Sequence, residues 1–450
     1  MHRPTTFRLR LLPLAWALAG VFAAPHASAQ SLQDLYSAAR GFDASYQSAK
    51  SLFDANLAKA EQAKALLLPT ANFALGASNT TQDVNSPVTS RNYSYDSQTA
   101  TLSASQPLYR PANKASYDQG MKQVELARAQ LQVAEQDLIV RVSQAYFDVL
   151  ASTDSLTFVK AQKAAVAEQL ASAKRNFEVG TSTITDTREA QARFDLVVAQ
   201  ELAAENDLRV KTLALNQLVG LPHAAPKPLA APVVLAPLVP AEPEAWVQQA
   251  EDQHPGLAQL KVALDVAKLE TAKAEAGHKP TLDLTGSYTM ANSQKGSSSG
   301  PTAYDTRSNV ATVGVSLNLP LFAGFATQNR IKETLALEEK ARTDLEASRR
   351  TLAQGTRTAF FGVQSGQAQV KALEAAEASS QSALDANKLG YQVGVRINMD
   401  VLNSQSQLYS TKASLAKARY DVLVGGLKLK QAAGTLKAED LAPINSQLVQ

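Results

Sequence analysis

The residues whose types invite a chemical role fall in two eleven-residue stretches, NFEVGTSTITD at Asn176–Asp186 and GYQVGVRINMD at Gly390–Asp400. In both, a glycine precedes an aspartate by six residues: Gly180 before Asp186 and Gly394 before Asp400. Each stretch interrupts a run that otherwise reads as helix. A glycine just past a helix end relieves the left-handed conformation that other residues resist. An aspartate where the next helix begins reads as an N-cap, and Glu189, three residues after Asp186, resembles the far end of a capping box. Capping accounts for the glycines and the aspartates. It leaves Tyr391 and Arg396 unexplained, a phenol and a guanidinium that a turn does not need.

A catalytic reading fails on inventory. The chain has five histidines, His2, His26, His223, His254 and His278, and none stands at metal-ligand spacing from another. With no cysteine it can form no disulfide, thiolate metal site or cysteine nucleophile. There is no glycine-rich phosphate loop, and the carboxylates are spread along helical faces. No enzyme activity, cofactor or metal is expected. Lys and Arg number 44 against 41 Asp and Glu, and three of the arginines lie in a removable N-terminal segment, so the remainder is balanced. Balance disfavours a nucleic-acid partner, which needs a cationic surface.

The elements that position the two stretches are repeated. Residues 1–29 read as a signal peptide: Arg3, Arg8 and Arg10, an apolar run at 11–24, then Ala27-Ser28-Ala29 as a cleavage site. Beyond it, KALLLPTANF at 64–73 resembles GHKPTLDL at 277–284, SQPLY at 105–109 matches NLPLF at 318–322, VGTSTITD matches VGVRINMD, and NQLVG matches KQAAG, at offsets of 211 to 214. A tandem duplication follows, with repeats at 30–220 and 244–436 and a tail at 437–450. Between the repeats, 221–243 holds seven prolines and reads as a linker, unable to form an interior helix or central strand.

Each repeat reads as a shorter helical segment, two strands, and a very long helical run broken once by its glycine stretch. Strands are expected at 70–80, 97–106, 281–291 and 310–319. The alternation is clearest in the second repeat, where Leu282, Leu284, Gly286, Tyr288 and Met290 share one face, as do Val313, Val315, Leu317 and Leu319. Strands of about ten residues with one apolar face suit a transmembrane barrel, and equally a half-exposed sheet in a soluble domain. Four strands cannot close, and lipid does not tolerate an open sheet edge, so the membrane reading needs several chains. The proline-free runs at 112–179 and 326–393 are 68 residues each, on the order of 100 Å as helices at ~1.5 Å per residue. In the first, Val124, Ala127, Leu131, Ala134, Leu138, Val142, Ala145 and Val149 step by three or four, a coiled-coil seam with one four-residue insertion.

Together the duplicated layout, AYFDVL at 145–150, the two glycine stretches with the continuation to Tyr409, and ARYDVLVGGLKLKQAAGTL at 418–436 resemble the TolC family of outer-membrane efflux and secretion proteins. The similarity spans essentially the whole mature chain and is greater to the branch without a lipidated N-terminal cysteine. It implies a mainly α protein with a β-barrel: a homotrimer in outer-membrane lipid, whose three chains share a 12-stranded barrel continuous with a periplasmic α-helical barrel. The entrance of that barrel would be held shut by a polar network in which Thr185 and Asp186 accept from Tyr391 and Arg396, within and between chains. Asp400 would supply an acidic ring. Asn403 stands where the family has a second aspartate, leaving three carboxylates per ring and a weaker pull on cations. Val179, Gly180, Val393 and Gly394 would meet a periplasmic membrane-fusion adaptor, itself joined to an inner-membrane transporter, ABC-type or proton-driven. The competing expectation is a periplasmic coiled-coil scaffold without a pore.

Overall fold

The computed structural model describes residues 29–449 except 86, 88, 89, 231 and 298–303. The expected signal peptide lies outside them save for its last residue. The first repeat runs α1 Leu32–Phe42, α2 Ala44–Ala65, β1 Thr70–Asn85, β2 Ser90–Tyr109, α3 Pro111–Glu178 and α4 Ile184–Val219. The second runs α5 Pro243–Gln253, α6 Pro255–Glu275, β3 Thr281–Ser297, β4 Tyr304–Asn318, α7 Ala326–Gln392 and α8 Asn398–Ala432. The two long helices are 68 and 67 residues. Pro111 at the start of α3 costs no hydrogen bond there, because the first helical N–H groups have no partner within the helix.

The strands pair antiparallel in the order β1-β2-β3-β4, so the central β2–β3 pairing joins the two repeats. Register places Phe73, Leu102, Tyr288 and Ala311 in one row across the sheet and Leu75, Ala100, Met290 and Asn309 in the next on that face. One row further, Ala77, Gln98, Asn292 and Arg307 make the same face polar. The strands are therefore longer than expected. Hydropathy marks only the apolar band, whereas the backbone ladder continues beyond it, to Asn85 in β1 and from Ser90 in β2. β1 and β4 are edge strands in the chain, and the apolar face is bare, with Leu75 74% and Val313 81% exposed.

The helices repeat this plan. α3 packs against α2 and α4 on one side and against α6 and α8 on the other, and α7 packs beyond α6 and α8. The chain is thus a wall four elements wide in both its helical and its strand layer. The core lies near the middle of α3, where Leu138, Ile139, Val142, Tyr146 and Phe147 are essentially inaccessible, each worth about 1.5–3 kcal/mol of burial. Of the expected seam, Ala127, Leu138, Val142 and Val149 are buried, while Leu131, Ala134 and Ala145 pack half-buried against the core. Tyr146 and Phe147 lie off that seam. They are buried because α1, α8 and the C-terminal tail cover further faces of α3, with Phe147 stacked on Tyr420 at 5.5 Å.

The described residues of the proline-rich segment form no helix before Pro243, but they are no free spacer. Gln30 pairs with Pro226 and Leu229 with Leu448, and Tyr146 donates its hydroxyl to the Lys227 carbonyl at 2.7 Å. Gln30, the described residues of the segment and the tail form a belt around the core. At the α1–α2 corner, Asp43 caps α2 through Tyr46 N–H at 2.8 Å and takes both arms of the Arg141 guanidinium at 3.0 Å. His254 fills the matching corner before α6, its Nδ1 accepting from Gly256 N–H at 3.1 Å.

Candidate functional site at the hairpin tips

Both glycine stretches are the turns of helical hairpins, α3–α4 and α7–α8. Gly180 and Gly394 take φ of +79° and +80°, as a residue ending a helix in the left-handed region must. At the first tip Gly180 N–H bonds to the Phe177 carbonyl at 3.0 Å and Thr181 N–H to that of Asn176 at 2.8 Å. At the second, Gly394 bonds to Tyr391 at 3.1 Å and Val395 to Gly390 at 2.9 Å. The tips are two copies of one Schellman turn.

The capping assignment shifts by three residues. Thr183, not Asp186, is the N-cap of α4, and Asp186 stands third in the helix, closing a capping box with Thr183. Asp400 is likewise third in α8, after Ile397, whose side chain cannot cap. A Thr hydroxyl is a competent cap, and with Thr183 in that place the acid inside the first turn completes the box instead of opening it.

Within the chain neither Tyr391 nor Arg396 reaches Asp186 across the tips. Asp186 Oδ2 accepts from Ser182 Oγ at 2.7 Å, Thr183 Oγ1 at 2.9 Å and Thr183 N–H at 3.1 Å. These bonds, Ser182's foremost, hold its carboxyl below the usual carboxylate range. Of the expected Asp186–Tyr391 and Asp186–Arg396 contacts, within and between chains, the single chain forms neither. Tyr391 accepts from Asn176 Nδ2 at 3.2 Å, and Arg396 lies 3.6 Å from Asp400, with 58% of its side chain exposed. Thr185 is exposed. Ser182–Asp186 and Arg396–Asp400 are the same pair of positions in the two repeats, a hydroxyl and a guanidinium each reaching an acid four residues on.

Several participants escape a reading of single motifs. Asn176 occupies the position of Gly390 in the other repeat: the amide reaches over to Tyr391, while at Gly390 a Cβ would fall 2.6 Å from Arg396 Cγ. Comparing the repeats residue by residue would have exposed this exchange. Arg193 of α4 donates to Asn403 Oδ1 at 2.7 Å, so Asn403, expected at the acidic ring, is bound to a cationic side chain. Asn398 is 2% exposed, with neither side-chain polar atom hydrogen-bonded. Fully buried Leu402 packs with Val166, Leu170, Ala173, Ala190 and Val197, fastening the second tip to the first. Val179, Val393, Val395 and Ile397 project from the turns, 60–74% exposed.

A profile of the family described as Outer membrane efflux protein matches residues 35–221 and 246–435. The chain belongs to this family. Outer membrane protein TolC of Vibrio cholerae is 33% identical over 98% of either chain, and that of Escherichia coli 31% identical over 98% of this chain and 89% of its own. The alkaline protease secretion protein AprF of Pseudomonas aeruginosa is 32% identical over 94% and 88%. Among solved structures, the outer membrane protein VceC of Vibrio cholerae superposes with a TM-score of 0.75 at 19% identity, covering 90% of this chain and 96% of that one. The open state of the Neisseria gonorrhoeae MtrE channel gives 0.74 at 19% over 91% and 90%. As a member of this family the protein is an outer-membrane channel component that extends into the periplasm, and its relatives are channels, not enzymes. The bare apolar band of the sheet is the part suited to lipid, and the long helices are the part suited to the periplasm.

Proposed function

We propose that the protein is a passive exit duct for efflux or type I secretion, gated at the hairpin tips. The observation that carries this reading is the four-element wall, open along both edges in both layers. α4 leaves Leu202 and Leu213 more than half exposed, and α7 leaves Phe361 and Leu389 so. Three copies placed edge to edge close the sheet into twelve strands and the helices into a tube, leaving no unpaired strand in lipid.

In that trimer Thr185 and Asp186 of one tip meet Tyr391 and Arg396 of another. Asp186 Oδ2 takes all three local bonds, which leaves Oδ1 to accept from a neighbouring chain. The Tyr391 hydroxyl accepts from Asn176, so its own proton is available. Arg396 gives up little by turning from Asp400, because an exposed pair at 3.6 Å is weak. Asp400 and Asn403 line the constriction. Val179, Gly180, Val393 and Gly394 dock the periplasmic adaptor, through which an ABC or proton-driven transporter opens the tips. A pore-less scaffold finds no support in the family match.

Fractionation and cross-linking test the reading. The duct sediments with outer membranes and cross-links as a trimer, whereas recovery as a soluble periplasmic monomer refutes it.

A further inference from the structure

Between α3, α4 and α8, on the sheet side of the Arg193–Asn403 bridge, lies a cavity of about 310 Å³. Phe158, Val159, Leu196 and Val197 form apolar walls, and Gln162, Gln200, Ser406, Tyr409 and Ser410 offer polar groups. Arg193 is the one ionised group among the lining residues. Its partner Asn403 is neutral, and among the described residues no carboxylate pairs with it. Its charge therefore has no carboxylate partner, and it lies partly open to solvent at one end of a pocket whose other walls are apolar or neutral.

From this geometry we propose that the cavity is a binding site for small amphipathic organic anions, with a carboxylate on Arg193 and an apolar body between Phe158, Leu196 and Val197. An amide oxygen is a neutral acceptor. A carboxylate makes a charge-assisted and bidentate pair with guanidinium about twice as strong, so exchange of Asn403 for the ligand is favourable. The Gln200 amide and the Ser410 and Tyr409 hydroxyls line the cavity beyond the apolar walls. All lining residues come from one chain, so the site does not depend on the trimer. The site borders the constriction at Asn403 but includes none of the latch residues Thr185, Asp186, Tyr391 and Arg396, so its failure would leave the duct reading intact.

Calorimetry on the full chain in lipid nanodiscs, with empty discs as reference, tests the site with 2-naphthoate and its uncharged analogue 2-naphthylmethanol. Saturable naphthoate binding at one site per chain is expected, at least tenfold tighter than the alcohol. Arg193→Gln should erase the preference. Ser410→Phe, which fills the cavity from its exposed rim and leaves Arg193 in place, should weaken naphthoate binding at least tenfold. Equal affinity for acid and alcohol in the wild type, or naphthoate affinity unchanged in both variants, overturns the proposal.

Discussion

In the proposed trimer, replacing Tyr391 by Phe together with Arg396 by Ser removes both donors that the second tip would offer to Asp186 of a neighbouring chain. A hydrogen bond to a charged acceptor contributes about 1.5–3 kcal/mol where it is shielded. Tyr391 is half-buried and packs against the Leu384–Val401–Leu408 cluster, so its bond sits near the low end of that range. Arg396 is 58% exposed, which cuts its share to about 0.5–1 kcal/mol. The loss is roughly 2 kcal/mol per chain, and roughly 6 kcal/mol for three tips moving together. Inverting a 1:99 equilibrium takes about 5.5 kcal/mol, so the double variant should pass from mostly closed to mostly open. Single-channel recording in planar bilayers reads the change as a several-fold larger conductance. Conductance equal to that of the wild type refutes the latch, whatever happens to trimer stability.

Asp400→Ala should lower cation selectivity, and because it also frees Arg396, the reversal potential under a salt gradient should move towards the anion side. Asn398→Leu removes a buried amide with no partner and should stabilise the described tip by about 1–3 kcal/mol, seen as a higher denaturation midpoint. Asp43→Asn keeps the helix cap but loses the Arg141 pair, costing about 2 kcal/mol at neutral pH once Arg141's partial exposure is allowed for. The Arg141 hydrogen bonds lower Asp43's folded pKa, so their stabilisation is present above the usual carboxylate range and is lost as pH falls through the lowered value. Wild-type and variant denaturation midpoints should therefore converge in acid. Val313→Arg puts a charge on the exposed apolar face of β4 and should cost about 2–4 kcal/mol of barrel stability if it sits at the bilayer midplane, measured by urea unfolding in lipid.

Much of this was legible in the chain because it is periodic. The 68-residue proline-free run became one helix, Pro111–Glu178, since nothing within it interrupts the backbone ladder. Gly180 and Gly394 announced their turns because the left-handed conformation tolerates few other residues. The strand cores were visible through alternation, but their polar extensions were not, because hydropathy reports what a strand faces and says nothing of where its hydrogen bonds stop. The caps were misplaced by three residues, as Thr183 and Asp186 are both competent at that end of a helix and only backbone geometry chooses between them.

The sequence by itself determined the duplication, the long helices, the turn positions and the residue types gathered at the tips, all consequences of short-range steric and hydrogen-bonding rules. The tertiary structure alone decided which groups meet. Asn176 finds Tyr391 across 215 positions, and Arg193 finds Asn403 across 210. Such pairings depend on the rotation and rise of separate helices packed side by side, set by residues such as Leu402 locked between α3 and α4. An error of one residue in that packing turns a side chain by about 100° on a 3.6-residue helix, so no local pattern could have specified the partners.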